Sequence, residues 1–163
     1  MSVKCRIAPC LWFDGQAEAA ASFYTGIFPN SRVTATSYYT EAGREIHGHA
    51  PGSVLTVEFE LDGQHFTALD GGPQFHFNEA ISFQIECVSQ DEIDRYWQAL
   101  AAHGGSAGQC GWLKDRYGVS WQVVPAELLK WITGTPAAAE RVMAALMPMQ
   151  KLDLAALRRA YAG

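Results

Sequence analysis

Apolar positions along this chain follow two periods in turn, and the alternation between them is itself repeated. Residues 5–13 are extended in character, and the Asp14-Gly15 pair that follows is a turn signal ahead of a helical run. In that run Ala20, Phe23, Tyr24 and Ile27 recur at three- and four-residue spacing, which puts them on one helical face; Pro29-Asn30 closes it. Three extended stretches come next, 32–40, 53–61 and 64–70. The last two are joined by Asp62-Gly63, the pair favoured in a two-residue type I′ hairpin turn. The polar, glycine-rich segment 41–52 predicts a mobile loop.

The pattern then restarts. Over residues 80–88, Ile81, Phe83, Ile85 and Cys87 alternate with Ser82, Gln84 and Glu86, and Ser89 is placed to cap a helix beginning Gln90-Asp91-Glu92. This helix carries Ile93, Tyr96, Trp97 and Leu100, each 73 positions after a member of the first stripe. Short extended pieces around 111–114 and 119–125 complete the second set. The fold class that follows is α+β: two βαβββ modules, each a curved mixed sheet with its helix on one face, joined around a shared concavity. Module one covers about 1–72 and module two about 78–125. By alternation, the faces turned away from the helices carry Pro9, Leu11 and Phe13 in the first module and Ser82, Gln84 and Glu86 in the second.

From 126 to 163 the period becomes helical throughout, in short pieces broken by Gly134-Thr135-Pro136 and Pro148. Val142, Leu146, Met149, Leu154, Leu157 and Tyr161 form an apolar face that packs on the body or on another subunit.

Composition narrows the partners. The 163 residues are 48% hydrophobic and carry a formal charge of −5, so a buried core is available and no cationic excess exists to neutralise nucleic acid or anionic lipid. There is no basic start followed by an apolar stretch of roughly ten residues, nor a run of about 18 apolar residues, so the expected location is the cytoplasm, away from the membrane. Cys5, Cys10, Cys87 and Cys110 are widely spaced and form no C-x-x-C pair, which reads as reduced thiols.

Longer motifs carry a resemblance. The stretch L-W-F-D-G-Q-A-E-A-A-A-S-F-Y-T-G-I-F-P-N-S opening the first module resembles the vicinal oxygen chelate superfamily. L-D-G-Q-H-F-T-A-L-D-G-G-P-Q-F-H-F-N, D-E-I-D-R-Y-W and Q-C-G-W-L-K-D-R-Y-G-V-S-W-Q-V-V-P are similar to its PhnB-like subfamily, often labelled as a 3-demethylubiquinone-9 3-methyltransferase domain. The resemblance implies paired βαβββ modules and commonly a homodimer. It does not choose among the superfamily's lyases, dioxygenases, epimerases and drug-binding proteins.

Metal-dependent relatives present four ligands from the first and last strands of the two modules. Carried onto this sequence, the last-strand places are Gln122 and Thr67, and the first-strand places fall near Ser82 and near Ile7 or Pro9. Gln122 alone is of a ligand type, so no divalent metal is expected at the usual place. His47 and His49 in the loop 41–52 are candidates to close over a site, with solvent exposure as the plain alternative; His65 and His76 lie near turns, and His103 suits a helix C-terminus. Methyl transfer in the common manner needs a strand, a glycine-rich turn and a helix in that order, whereas Gly104 to Gly111 follows a helix and leads into a strand.

What remains is a small-molecule pocket with no cofactor. Its expected ligand-binding residues are Phe13, Thr67, Ser82, Gln84, Gln122 and Trp112, with Trp12 or Trp121 near the walls and Glu86 as the one candidate acid or base. The competing reading is a metal-dependent enzyme, a glyoxalase-type lyase or a dioxygenase, with a non-standard ligand set. The family label, a methyltransferase, stands third.

Overall fold

A computed structural model describes residues 7–163, which fall into two compact units divided between His76 and Phe77. Cys5 and the start of the expected first strand lie outside the described residues. Each unit is built on one four-stranded mixed sheet, as the doubled pattern predicts.

In the first unit, β1 (Cys10–Phe13) leads through Asp14-Gly15 into α1 (Ala17–Ile27), followed by β2 (Arg32–Tyr38), β3 (Val54–Leu61) and β4 (Gln64–Asp70), in sheet order β1-β4-β3-β2. The Asp62-Gly63 turn has positive φ at both residues and pairs Leu61 with Gln64, so the hairpin register is the one a two-residue loop imposes. Tyr24 on α1 is fully buried and stacks on Phe59, with ring centroids 6.2 Å apart. The face of the sheet bearing Val57, Phe59, Phe66 and Ala68 is therefore the one under the helix. The segment expected to be a loop contains one helical turn, α2 (Arg44–His47), flanked by Gly43 and Gly48 with positive φ.

The motif L-D-G-G-P closes this unit. Asp70 is 6% exposed, and its Oδ1 accepts hydrogen bonds from the backbone N–H groups of Gln16 (2.8 Å) and Ala17 (2.9 Å), two of the donors that a helix start leaves unpaired. Gln16, at the N-cap position, makes no side-chain cap, so a strand carboxylate does that work. Gly71 lies under the Trp12 indole; a Cβ there would sit 2.2 Å from the ring, and the indole N–H donates to Gly72 O at 2.8 Å.

In the second unit β5 (Phe83–Cys87) precedes α3 (Gln90–Ala101), then β6 (Ser106–Ala107), β7 (Trp112–Lys114) and β8 (Ser120–Pro125), in sheet order β5-β8-β7-β6. Ser89 caps α3 as the sequence predicts, its side chain accepting from Glu92 N–H, while Glu92 Oε2 accepts from Val88 N–H. The buried stripe of α3 is Ile93, Tyr96 and Leu100, with Trp97 half-buried, so the two helices present their repeated positions at slightly different rotations. Between β7 and β8 the D-R-Y-G turn is organised by Asp115, 2% exposed. Its Oδ1 accepts from Tyr117 N–H (2.8 Å) and Val119 N–H (3.1 Å), and its Oδ2 from the Trp121 indole N–H (2.8 Å).

The tail forms α4 (Leu128–Ile132), α5 (Pro136–Leu146) and α6 (Leu154–Ala162), and its apolar face packs within the second unit: Val142, Leu146, Leu154 and Leu157 are buried. The attachment is polar as well. Gln90 uses both ends of its amide, donating to Leu152 O and accepting from Leu154 N–H, and the N–H groups of Cys110 and Gly111 donate to Met149 O and Gln150 O. No described helix is long and apolar enough to cross a membrane.

Candidate functional site

Alternation along β5 separates two environments. Ile85 and Cys87 are buried beside α3, whereas Gln84 and Glu86 are exposed on the opposite face, as read from the sequence. The parallel register sets Gln84 beside Gln122 of β8, and the antiparallel register sets Trp112 of β7 on Gln122's other side. Gln84, Gln122 and Trp112 thus form one row across the open face of the second sheet. Gln122 is half-buried rather than sequestered, and the fold supplies partners: its Nε2 donates to Ser82 Oγ at 2.8 Å, and its Oε1 accepts from Gln84 Nε2 at 3.3 Å. These two bonds leave one N–H of Gln122 and further lone pairs of the row uncommitted, on a face otherwise framed by the Trp112 ring. Trp121, by contrast, is 3% exposed on the helix side and belongs to the Asp115 turn.

In the first unit the expected face is shifted by one residue. Leu11 is paired with Ala68 and is 6% exposed, and Phe13 is paired with Asp70 and is 3% exposed; both lie on the side covered by α1. Phe13 is therefore a core residue on the side away from the open face, and Pro9 shares that alternation. Cys10 and Trp12 take the open face. The physical reason is a strand with apolar residues on both faces, where composition does not decide the side and a slip of one exchanges them.

Thr67, correctly placed on the open face, stands between Cys10 and Glu58. Its hydroxyl donates to Glu58 Oε2 at 2.7 Å, and His65 Nε2 donates to the same oxygen at 2.9 Å. Glu60, the direct partner of His65, is engaged by Arg32 at 3.0 Å. The Glu58–His65–Thr67 cluster was missed by sequence reasoning, although the hairpin arithmetic contains it: a two-residue turn at 62 and 63 puts 58 opposite 67 and 60 opposite 65. His47 and His49 gather elsewhere, around the Tyr39 ring at centroid distances of 4.5 and 4.3 Å; Tyr39 donates its hydroxyl to Asp70 O.

The reactive groups are muted. Burial pushes the Cys87 thiol up to about 12, and burial, with the Glu58 carboxylate adding to it, raises that of Cys10, so both stay protonated near neutrality. Glu86 is exposed on an edge strand. Among the described residues, no three His, Cys, Asp or Glu side chains converge as a metal ligand set. The donor set at the central row, amide and hydroxyl, is a poor fit for a first-row divalent ion.

Gly105, Gly108 and Gly111 are held against neighbouring backbone. A Cβ on Gly105 would stand 2.8 Å from Ala101 and Lys114 backbone atoms, and one on Gly108 would stand 2.9 Å from Trp112 O. Gly105 lets the chain pass between α3 and β7, and Gly108 lets it approach the start of β7. Gly105→Ala is accordingly expected to cost about 1–3 kcal/mol, read as a fall in the urea midpoint, because the neighbouring atoms are backbone and have nowhere to move.

Two βαβββ units of this topology define a member of the vicinal oxygen chelate superfamily. Residues 5–124 match the family described as 3-demethylubiquinone-9 3-methyltransferase, and the chain belongs to that family. It is 34% identical to a PhnB protein from Bacillus cereus, covering 74% of this chain and 99% of that one with a TM-score of 0.64. Protein PA1353 from Pseudomonas aeruginosa, 22% identical over 74% of this chain and 98% of its own with a TM-score of 0.59, shares the fold. So does the fosfomycin resistance protein FosX from Listeria monocytogenes, 16% identical over 81% and 99% of the two chains with a TM-score of 0.53. A curated relative, an arginine–tRNA ligase from Sinorhizobium medicae, is 34% identical over 105 residues; these are 56% of this chain and 17% of that protein.

Proposed function

We propose that this protein binds a small organic molecule against the open face of its second sheet, through Ser82, Gln84 and Gln122 with Trp112 as an apolar wall, and without a conventional metal centre. The observation that carries this reading is the Gln84–Gln122–Ser82 chain. A half-buried amide is held in one orientation by two neighbours while part of its hydrogen-bonding capacity remains turned outward. Amides fixed in this way select a polar group on a ligand, and an indole beside them takes apolar surface.

The test is Gln122→Leu. Because the amide is only half-buried and its partners can turn to solvent, the variant is expected to fold with stability within about 1 kcal/mol of the parent. In a thermal-shift screen of small organic acids, alcohols and quinones, compounds that raise the melting temperature of the parent should fail to do so for the variant. A Gln122→Leu protein that does not fold, together with a parent that no compound stabilises, would make the amide structural.

A second reading, catalysis, is favoured by one observation. Glu58 holds His65 by its Nε2–H on the open face of the first sheet, which fixes the orientation of the ring there. If a turnover is found, His65→Gln should abolish it while leaving ligand-induced stabilisation intact.

A further inference from the structure

Across β6, β7 and β8 the register aligns Ser106 with Lys114 and Lys114 with Ser120. The three polar side chains therefore form a row of hydroxyl, ammonium and hydroxyl, one pair of residues along from Trp112 and Gln122. They line a cleft of about 210 Å³ with Glu79, Gly108 and Trp112. Ser120 is 2% exposed, and its Oγ is the buried side-chain oxygen that has no hydrogen-bond partner among the described residues. An unsatisfied buried hydroxyl is costly unless something fills its bond. The neighbouring ammonium decides what that should be, since a group that approaches both Lys114 N–H and Ser120 O–H as an acceptor is best an anion.

The protein already supplies an anion to Lys114, though not to Ser120. Glu79, in the turn before β5, pairs with Lys114 at the mouth of the cleft, and this hydrogen-bonded pairing holds its carboxyl below the usual range. Glu79 is 61% exposed, so its carboxylate can swing into solvent with little loss of packing.

We propose that Lys114 and Ser120, with Ser106 beside them, form an anion subsite for the acid group of a small organic acid, and that the Glu79 carboxylate is an internal stand-in which that acid displaces. This deepens the small-molecule reading by naming the ligand class: an organic acid whose charged end takes Lys114 and Ser120 and whose polar middle reaches Gln122.

The experiment uses phenylacetate and its neutral isostere phenylacetamide, titrated into the full chain and followed by amide NMR shifts at Gly108, Lys114 and Ser120. Removing an exposed competing carboxylate should improve binding modestly, so Glu79→Gln is expected to bind phenylacetate about fivefold more tightly than the parent. Phenylacetamide should move none of these signals, and Lys114→Met and Ser120→Ala should each lose the phenylacetate response while remaining folded. The subsite is overturned if Glu79→Gln shows no shifts at millimolar phenylacetate, or if acid and amide act alike. Gln122→Leu separates the two readings. If 4-hydroxyphenylacetate, which adds a phenol for the Gln122 amide to bond, still reports at Lys114 but is indifferent to Gln122→Leu, the anion subsite stands and the Gln122 site falls.

Discussion

Asp115→Ala is expected to lower the stability of the second unit by about 3–5 kcal/mol, seen as a large drop in the midpoint of chemical denaturation. The carboxylate is 2% exposed and accepts three hydrogen bonds, two from the turn's own backbone and one from the Trp121 indole. Truncation would leave those donors buried and unpaired, the costly direction of the hydrogen-bond balance. Asp115→Asn separates the contributions. Its remaining carbonyl oxygen can serve Tyr117 and Val119, but its NH₂ would face the indole N–H, donor against donor. The Asn variant should therefore lose roughly half as much as Ala, and less still when Trp121 is also changed to Phe, a non-additivity that a double-mutant cycle reads directly. Because this turn joins β7 to β8, it also sets the register that places Lys114 beside Ser120 and Trp112 beside Gln122. Ligand responses at both places should fall with it. A loss under about 1 kcal/mol for Asp115→Ala would mean the turn is held by other means.

Much of this arrangement is legible from spacing. The repeat of a helical stripe after 73 residues predicts two equivalent units, and both sheets have the same order, with the first strand of each module at one edge and paired in parallel with the last. Alternation on β5 assigns faces correctly because its polar residues, Gln84 and Glu86, all fall on one side. On β1 it fails because Cys10, Leu11, Trp12 and Phe13 are all able to face a core; only the pairing with β4 decides, and that is tertiary information. Phe13 was drawn into the candidate site by this ambiguity. The Glu58–His65 contact was hidden differently: each residue taken alone reads as a solvated strand position, and only the hairpin register makes them neighbours. Ser120 carried no signal of its own, since nothing in V-S-W-Q-V marks which hydroxyl will lack a partner.

The aspartate that closes the first unit should tolerate an amide better than Asp115 does. Asp70→Ala is expected to cost about 2–4 kcal/mol, since it would uncover the Gln16 and Ala17 N–H groups at a helix start that has no side-chain cap of its own. Asp70→Asn should cost no more than about 1 kcal/mol. Both bonds go to one oxygen, which an amide retains, and what is lost is the attraction of a full negative charge for the helix N-terminus. The contrast follows from where the donors sit: two on one oxygen at Asp70, and donors on both oxygens at Asp115. Thermal unfolding of the four variants checks it, and an Asp70→Asn loss as large as that of Asp70→Ala would sink the argument. The histidine pair of the 41–52 segment is linked to this residue through its backbone. Asp70 pairs with Phe13 and accepts the Tyr39 hydroxyl, and the Tyr39 ring carries His47 and His49. Loosening the α1 start in Asp70→Ala should therefore also release the histidine pair, visible as changed His47 and His49 ring signals in NMR, whereas Asp70→Asn should leave those signals where they are.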